Sequence, residues 1–196
     1  MSPGPAVSCP WPDARPARPR RTSGQAARLA GHDGLVHPPG ELAARIVRAL
    51  GERGQTLATA ESLTGGLLGA AITAVPGASA VYRGGVIAYA TELKAVLLGV
   101  PGDLLAQHGP IHPGVAAAMA TGARDRLGAT WGLATTGVAG PDPADGFPPG
   151  TVHIAASSGS PAARSLALAG DRDQIRRDTV GQALTLLFDL LREDVP

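Results

Sequence analysis

From Glu41 onward, short β-compatible runs alternate with segments of helical period, and this alternation restricts the fold more than any other feature. Leu42, Ile46, Val47 and Leu50 recur at helical spacing, and Gly51 and Gly54 close that helix. Thr56 to Ala60 reads as a strand. Thr64 opens a helix rich in Gly, Ala and Leu that runs to Ala74, where Pro76-Gly77 turns the chain. Val81 to Tyr89 reads as a strand interrupted by Gly84-Gly85, and Glu92 to Leu98 as a short helix. Pro113 suits a first helical turn, so Val115 to Leu127 continues as a long helix. Trp131 to Thr135, Thr151 to Ser157 and Ser165 to Ala169 read as strands, and Ile175 to Leu191 as a closing amphipathic helix. This order predicts an α/β fold, a three-layer α/β/α sandwich around a mixed, mostly parallel sheet of about five strands.

Composition sharpens that expectation. The 196 residues suit one domain plus a tail, and with only 3% aromatic residues the core must be built from Ala, Val, Leu and Ile. Residues 1–38 read as a disordered Pro/Arg-rich tail and residues 39–196 as the folded domain. Of a net charge of +1, much of the basic part (Arg15, Arg18, Arg20, Arg21, Arg28) lies in the tail, so no nucleic-acid partner is expected for the folded part. Cys9 is the sole cysteine, which excludes an internal disulfide and a Cys-rich zinc site and favours a cytoplasmic location. No apolar run reaches membrane-spanning length, so no membrane partner is expected.

Sixteen of the 17 basic side chains are arginine, and Lys94 is the exception. Arginine keeps its proton at ordinary pH, whereas a desolvated lysine can give its proton up. Three segments offer chemistry. In Glu61-Ser62-Leu63-Thr64-Gly65-Gly66 a strand runs into a helix, placing Ser62 at the strand's carboxyl end beside amides that suit a phosphate or an oxyanion. Helix capping by Ser62 or Thr64 accounts for the same residues. Tyr89 and Lys94 can point into a cleft beside Ser62, or stand as an edge tyrosine and a solvated lysine. Thr136-Gly137-Val138-Ala139-Gly140 is another strand end, whose backbone can approach a phosphate or ribose. His108, His112 and His153 lack metal-ligand spacing, and neither GxGxxG nor a P-loop is present.

Together, Glu-Ser-Leu-Thr-Gly-Gly (61–66), Val-Pro-Gly-Ala-Ser (75–79), Tyr-Ala-Thr-Glu-Leu-Lys (89–94), Leu-Gly-Val-Pro (98–101), Gln-His-Gly (107–109), Thr-Gly-Val-Ala-Gly-Pro (136–141), Gly-Thr-Val (150–152) and Gly-Asp-Arg (170–172) resemble the C-terminal domain of CinA, the PncC-type nicotinamide-nucleotide amidohydrolases, over residues 41 to 193. The resemblance implies a cofactor-free Ser–Lys amidase, in its stand-alone form and as a homodimer, that converts nicotinamide mononucleotide to nicotinate mononucleotide and ammonia. Ser62 matches the nucleophile, Lys94 the general base and Tyr89 a neighbouring tyrosine. Glu61, Thr64, Gly65, Gly66, Thr136, Gly137, Ala139 and Gly140 are the expected substrate-binding positions.

The chain departs from that family's pattern in three places. Ala90-Thr91 stands where Ser-Asn is usual, His112 where serine is usual, and Asp142 to Gly150 lacks the family's lysine. These departures keep open a second expectation, a nucleotide-binding or regulatory protein whose catalysis has lapsed.

Overall fold

The computed structural model describes residues 39–193, so the expectation of a disordered tail falls outside the described residues. The elements are α1 (Pro39–Glu52), β1 (Leu57–Glu61), α2 (Leu67–Thr73), β2 (Tyr82–Ile87), α3 (Thr91–Leu98), α4 (Gly102–His108), α5 (Pro113–Leu127), β3 (Trp131–Gly137), β4 (Thr151–Ser157), β5 (Pro161–Ala167) and α6 (Arg172–Glu193). The five strands form a mixed sheet ordered β2-β1-β3-β4-β5. β1 pairs parallel with β2 and β3, while β4 and β5 close the other side antiparallel.

Successive strand residues face opposite sides of the sheet, and the two sides carry different side chains. Leu57, Leu133, Val152 and Ile154 join one core with α1, α2 and α6. Ala58, Ala60, Ala134 and Ala155 join the other with residues of α3 and α5. The small side exists because α5 lies nearly against the sheet backbone. A Cβ on Gly132 of β3 would collide with the Ala120 carbonyl of α5, and one on Gly122 of α5 would collide with the Leu98 carbonyl of α3. The core on this side contains no aromatic residue.

Several boundaries differ from the sequence reading. α2 begins at Leu67 instead of Thr64, because Gly65 and Gly66 take left-handed φ values of 58° and 100° and delay the helix. β2 is not interrupted at Gly84-Gly85; it shifts register, Leu57 pairing with Tyr82 and Ala58 with Gly84. β5 starts at Pro161, several residues early, since an edge strand tolerates proline at its first position. Helix α4 was not expected from sequence, and it buries no residue that would mark a helical period.

Adding one methyl at Gly132 tests the α5 contact. Gly132→Ala is expected to cost about 3 kcal/mol, the upper end of ordinary overpacking, because the obstruction is backbone. Urea denaturation of the two proteins measures it.

Candidate active site

In the strand order β2-β1-β3, the chain leaves β1 to one side for β2 and returns to its other side for β3. The crevice beyond the carboxyl ends of β1 and β3 is therefore the topological switch point, where open α/β sheets place ligands. Ser62 follows β1 directly, and its amide donates to the Thr135 carbonyl of β3 at 3.0 Å. It lines a cleft of about 200 Å³ together with Leu63, Tyr89, Lys94, Thr136 and Arg172, among others.

Lys94 reaches this cleft from the first half of α3 and is only 1% exposed. Its Nζ lies 3.2 Å from Ser62 Oγ, 2.9 Å from the Ala88 carbonyl and 3.3 Å from the Tyr89 carbonyl. No carboxylate forms a salt bridge with it among the described residues. Burial pushes the amine below the usual lysine range, partly offset by the charges of Asp145 and Glu92. A neutral amine has two N–H groups, which match the two carbonyls. Its lone pair is then left for the Ser62 hydroxyl proton, the arrangement that activates a serine.

The turn carrying Ser62 is fixed from both sides. The Glu61 carboxylate accepts from the amides of Gly66, Leu68 and Gly69 at 2.8, 3.1 and 2.8 Å. Arg176 of α6 donates to the carbonyls of Leu63 and Thr64, both at 3.0 Å. Thr64 is fully buried and shares a 2.8 Å hydrogen bond with Thr135.

Seven of the predicted positions thus line the cleft: Ser62, Lys94, Tyr89, Thr136, Gly137, Ala139 and Gly140. Glu61, Thr64, Gly65 and Gly66 do not; they build the turn that carries Ser62. The amides expected to meet a phosphate or oxyanion are also partly spent, Gly66 on Glu61 and Gly65 on the Ser62 carbonyl. The Leu63 amide, next to Ser62 and in the lining, has no protein acceptor among the described residues. The Thr136 hydroxyl is engaged with the Pro110 carbonyl at 2.8 Å. Tyr89 is 59% exposed at the rim, where its hydroxyl accepts from Arg172 at 3.2 Å.

Arg172 and Arg176 were missed as site residues, although Arg172 ends the Gly-Asp-Arg motif. Arg172 also donates to the Gly140 carbonyl at 2.6 Å, so it spans the rim from one side to the other. Asp142 and Asp145 line the cleft and were likewise not singled out. His112 stands at the N-cap of α5, its Nδ1 accepting from Gly114 at 3.1 Å, which is the work a serine does at such a position. No group of three or more His, Cys, Asp or Glu side chains is placed to hold a metal ion among the described residues. None of their helices is long and apolar enough to cross a membrane.

An open α/β sheet with a buried Ser–Lys pair in its switch-point crevice is the class that fold and site define. The chain belongs, more specifically, to the CinA C-terminal domain family, whose profile matches residues 40–191. It is 53% identical over 147 residues to a CinA-like protein of Frankia casuarinae, covering 74% of this chain and 34% of that protein. A CinA-like protein of Anaeromyxobacter sp. (strain Fw109-5) is 44% identical over 193 residues, covering 96% of this chain and 47% of the relative. The chain thus spans half or less of the length of these curated relatives. Among solved structures, competence damage-inducible protein A of Klebsiella pneumoniae superposes with a TM-score of 0.78 at 34% identity, over 81% of this chain and 100% of that one. The competence/damage-inducible protein CihA of Agrobacterium tumefaciens gives 0.75 at 34% identity, over 83% and 99%.

Burial of Lys94 has a thermodynamic signature. With its native pKa below the unfolded value of 10.5, the unfolded chain binds more protons between those two values, so stability rises with pH across that window. Below the native pKa the protonated amine stays buried at full cost. Lys94→Met is expected to flatten this pH dependence and raise the melting temperature at neutral pH, as read by thermal melts across a pH series.

Proposed function

We propose that this domain is an amidohydrolase acting on nicotinamide mononucleotide, with Ser62 as nucleophile and Lys94 as general base. The observation that carries the reading is the buried Lys94 amine, in no salt bridge among the described residues, 3.2 Å from the Ser62 hydroxyl. Membership of the CinA C-terminal domain family agrees with it.

In this reading Lys94 Nζ takes the Ser62 proton as Oγ attacks the carboxamide carbon, forming a tetrahedral intermediate. The Leu63 amide donates to the oxyanion. Lys94 passes its proton to the amide nitrogen, the C–N bond breaks, and ammonia leaves an acyl ester on Ser62. Water then attacks the ester, giving its proton to Lys94. The ester C–O bond breaks, Ser62 regains a proton and the carboxylate departs. Amide and water are consumed, ammonia and acid are made, and neither residue is changed.

Purified protein is expected to release ammonia from nicotinamide mononucleotide. Ser62→Ala and Lys94→Met should each lower kcat by about a thousandfold or more while keeping the wild-type circular dichroism spectrum. For the wild type, kcat/KM should rise with pH to a plateau whose inflection lies below the ordinary lysine value, because the base must be unprotonated. Saturable mononucleotide binding without ammonia release would instead favour the lapsed, nucleotide-binding reading.

A further inference from the structure

The charges around the cleft are unevenly placed. Its two basic members are Lys94, buried at the floor, and Arg172, whose terminal nitrogens are held by the Gly140 carbonyl and the Tyr89 hydroxyl. Asp142 and Asp145, by contrast, are exposed at its edge and have no hydrogen-bond or ion-pair partner among the described residues. Asp145 is set there by a tight reversal: Ala144 and Phe147 exchange amide–carbonyl hydrogen bonds of 3.1 and 2.9 Å. Asp145 takes a left-handed φ of 50° at its corner, a conformation that aspartate tolerates better than most residues. Its charge is felt at the reacting centre, since it is the larger of the two carboxylate influences on Lys94.

With Lys94 neutral, the form the base needs, the lining holds one cation, Arg172, against two carboxylates and carries a net negative charge. The cleft's 200 Å³ is below the roughly 300–1,000 Å³ of pockets that enclose a whole drug-sized ligand. It therefore has room for the amide-bearing ring and leaves the remote end of a nucleotide at the acidic rim. That rim attracts a cationic ring and repels a phosphate dianion.

We infer that Asp142 and Asp145 make this cleft select carboxamides carried on a positively charged pyridinium ring and give no advantage to a 5′-phosphate, so that the unphosphorylated pyridinium nucleoside is used at least as well as the nucleotide. The inference rests on the amidase reading for its chemistry but not for its charge preference. Both carboxylates act on recognition, and the preference weakens as salt screens them.

Two substrate pairs separate the terms. N1-methylnicotinamide against nicotinamide tests the ring charge, and nicotinamide riboside against nicotinamide mononucleotide tests the phosphate. Wild type should favour the charged ring by about tenfold in kcat/KM, the size expected for half-screened charges a few ångströms apart, and should use the riboside no less well than the mononucleotide. Asp142→Asn/Asp145→Asn should shift both ratios about tenfold against the cation and towards the phosphate. Using ratios cancels any common change in Lys94 basicity. A wild-type preference for the mononucleotide, or ratios unmoved by the double substitution, would overturn the inference. Calorimetry on Ser62→Ala reads the same pairs without chemistry. If no amide is hydrolysed but the cations still bind more tightly, the amidase reading fails and the charge selection stands. If the mononucleotide binds more tightly than the riboside there, the charge selection fails whatever the turnover.

Discussion

The closeness of α5 to the sheet sets the terms for everything else. At Gly132 and Gly122 backbone meets backbone, first with Ala120 of α5 and then with Leu98 of α3. The second contact seats α3 on α5, and α3 carries Lys94. An α3 held further out would let water reach the amine, and desolvation is what lowers its proton affinity. The packing of two glycines thus reaches the reactivity of a side chain on a third element.

The nucleophile's side of the pair is built by opposite means. Where Lys94 has no directly paired carboxylate among the described residues, the turn bearing Ser62 is fastened by two charged residues, Glu61 on its amides and Arg176 on its carbonyls. Charge-assisted hydrogen bonds of this sort are stronger than neutral ones and hold a backbone to one geometry. Because Glu61 occupies the start of α2, that helix end is closed to an anion. The cleft beside Ser62 is lined instead by the β3 end, the Asp142–Asp145 reversal and the Arg172 bridge.

Much of this was legible in the sequence, for identifiable reasons. Strands β1, β3 and β4 are short runs buried almost throughout, and helices α1, α5 and α6 bury apolar residues at helical spacing; a sequence reading detects both patterns. Helix α4 packs only the partly buried Leu104 and Leu105 on the core, and β5 is an exposed edge strand, so α4 left no periodic signal and β5 a displaced one. Ser62 and Lys94 stood out through their positions at a strand end and as the only lysine. The left-handed Gly65-Gly66 turn, which folds the following amides back onto the Glu61 carboxylate, has no periodic signature in the sequence. Arg172 and Arg176 act across long stretches of chain, 83 residues to Tyr89 and 113 to Leu63, and no local pattern encodes such a partnership.

The solitary lysine has a practical side. In a chain of 196 residues whose other cationic side chains are arginine or histidine, every lysine-directed reagent has one side chain to find. That side chain sits at the floor of the cleft, 1% exposed and shifted towards its nucleophilic form. Acylation or reductive methylation of the ε-amine therefore counts openings of a single pocket, with no background from a surface of other lysines. The protein carries its own chemical reporter, placed where a bound ligand would shield it.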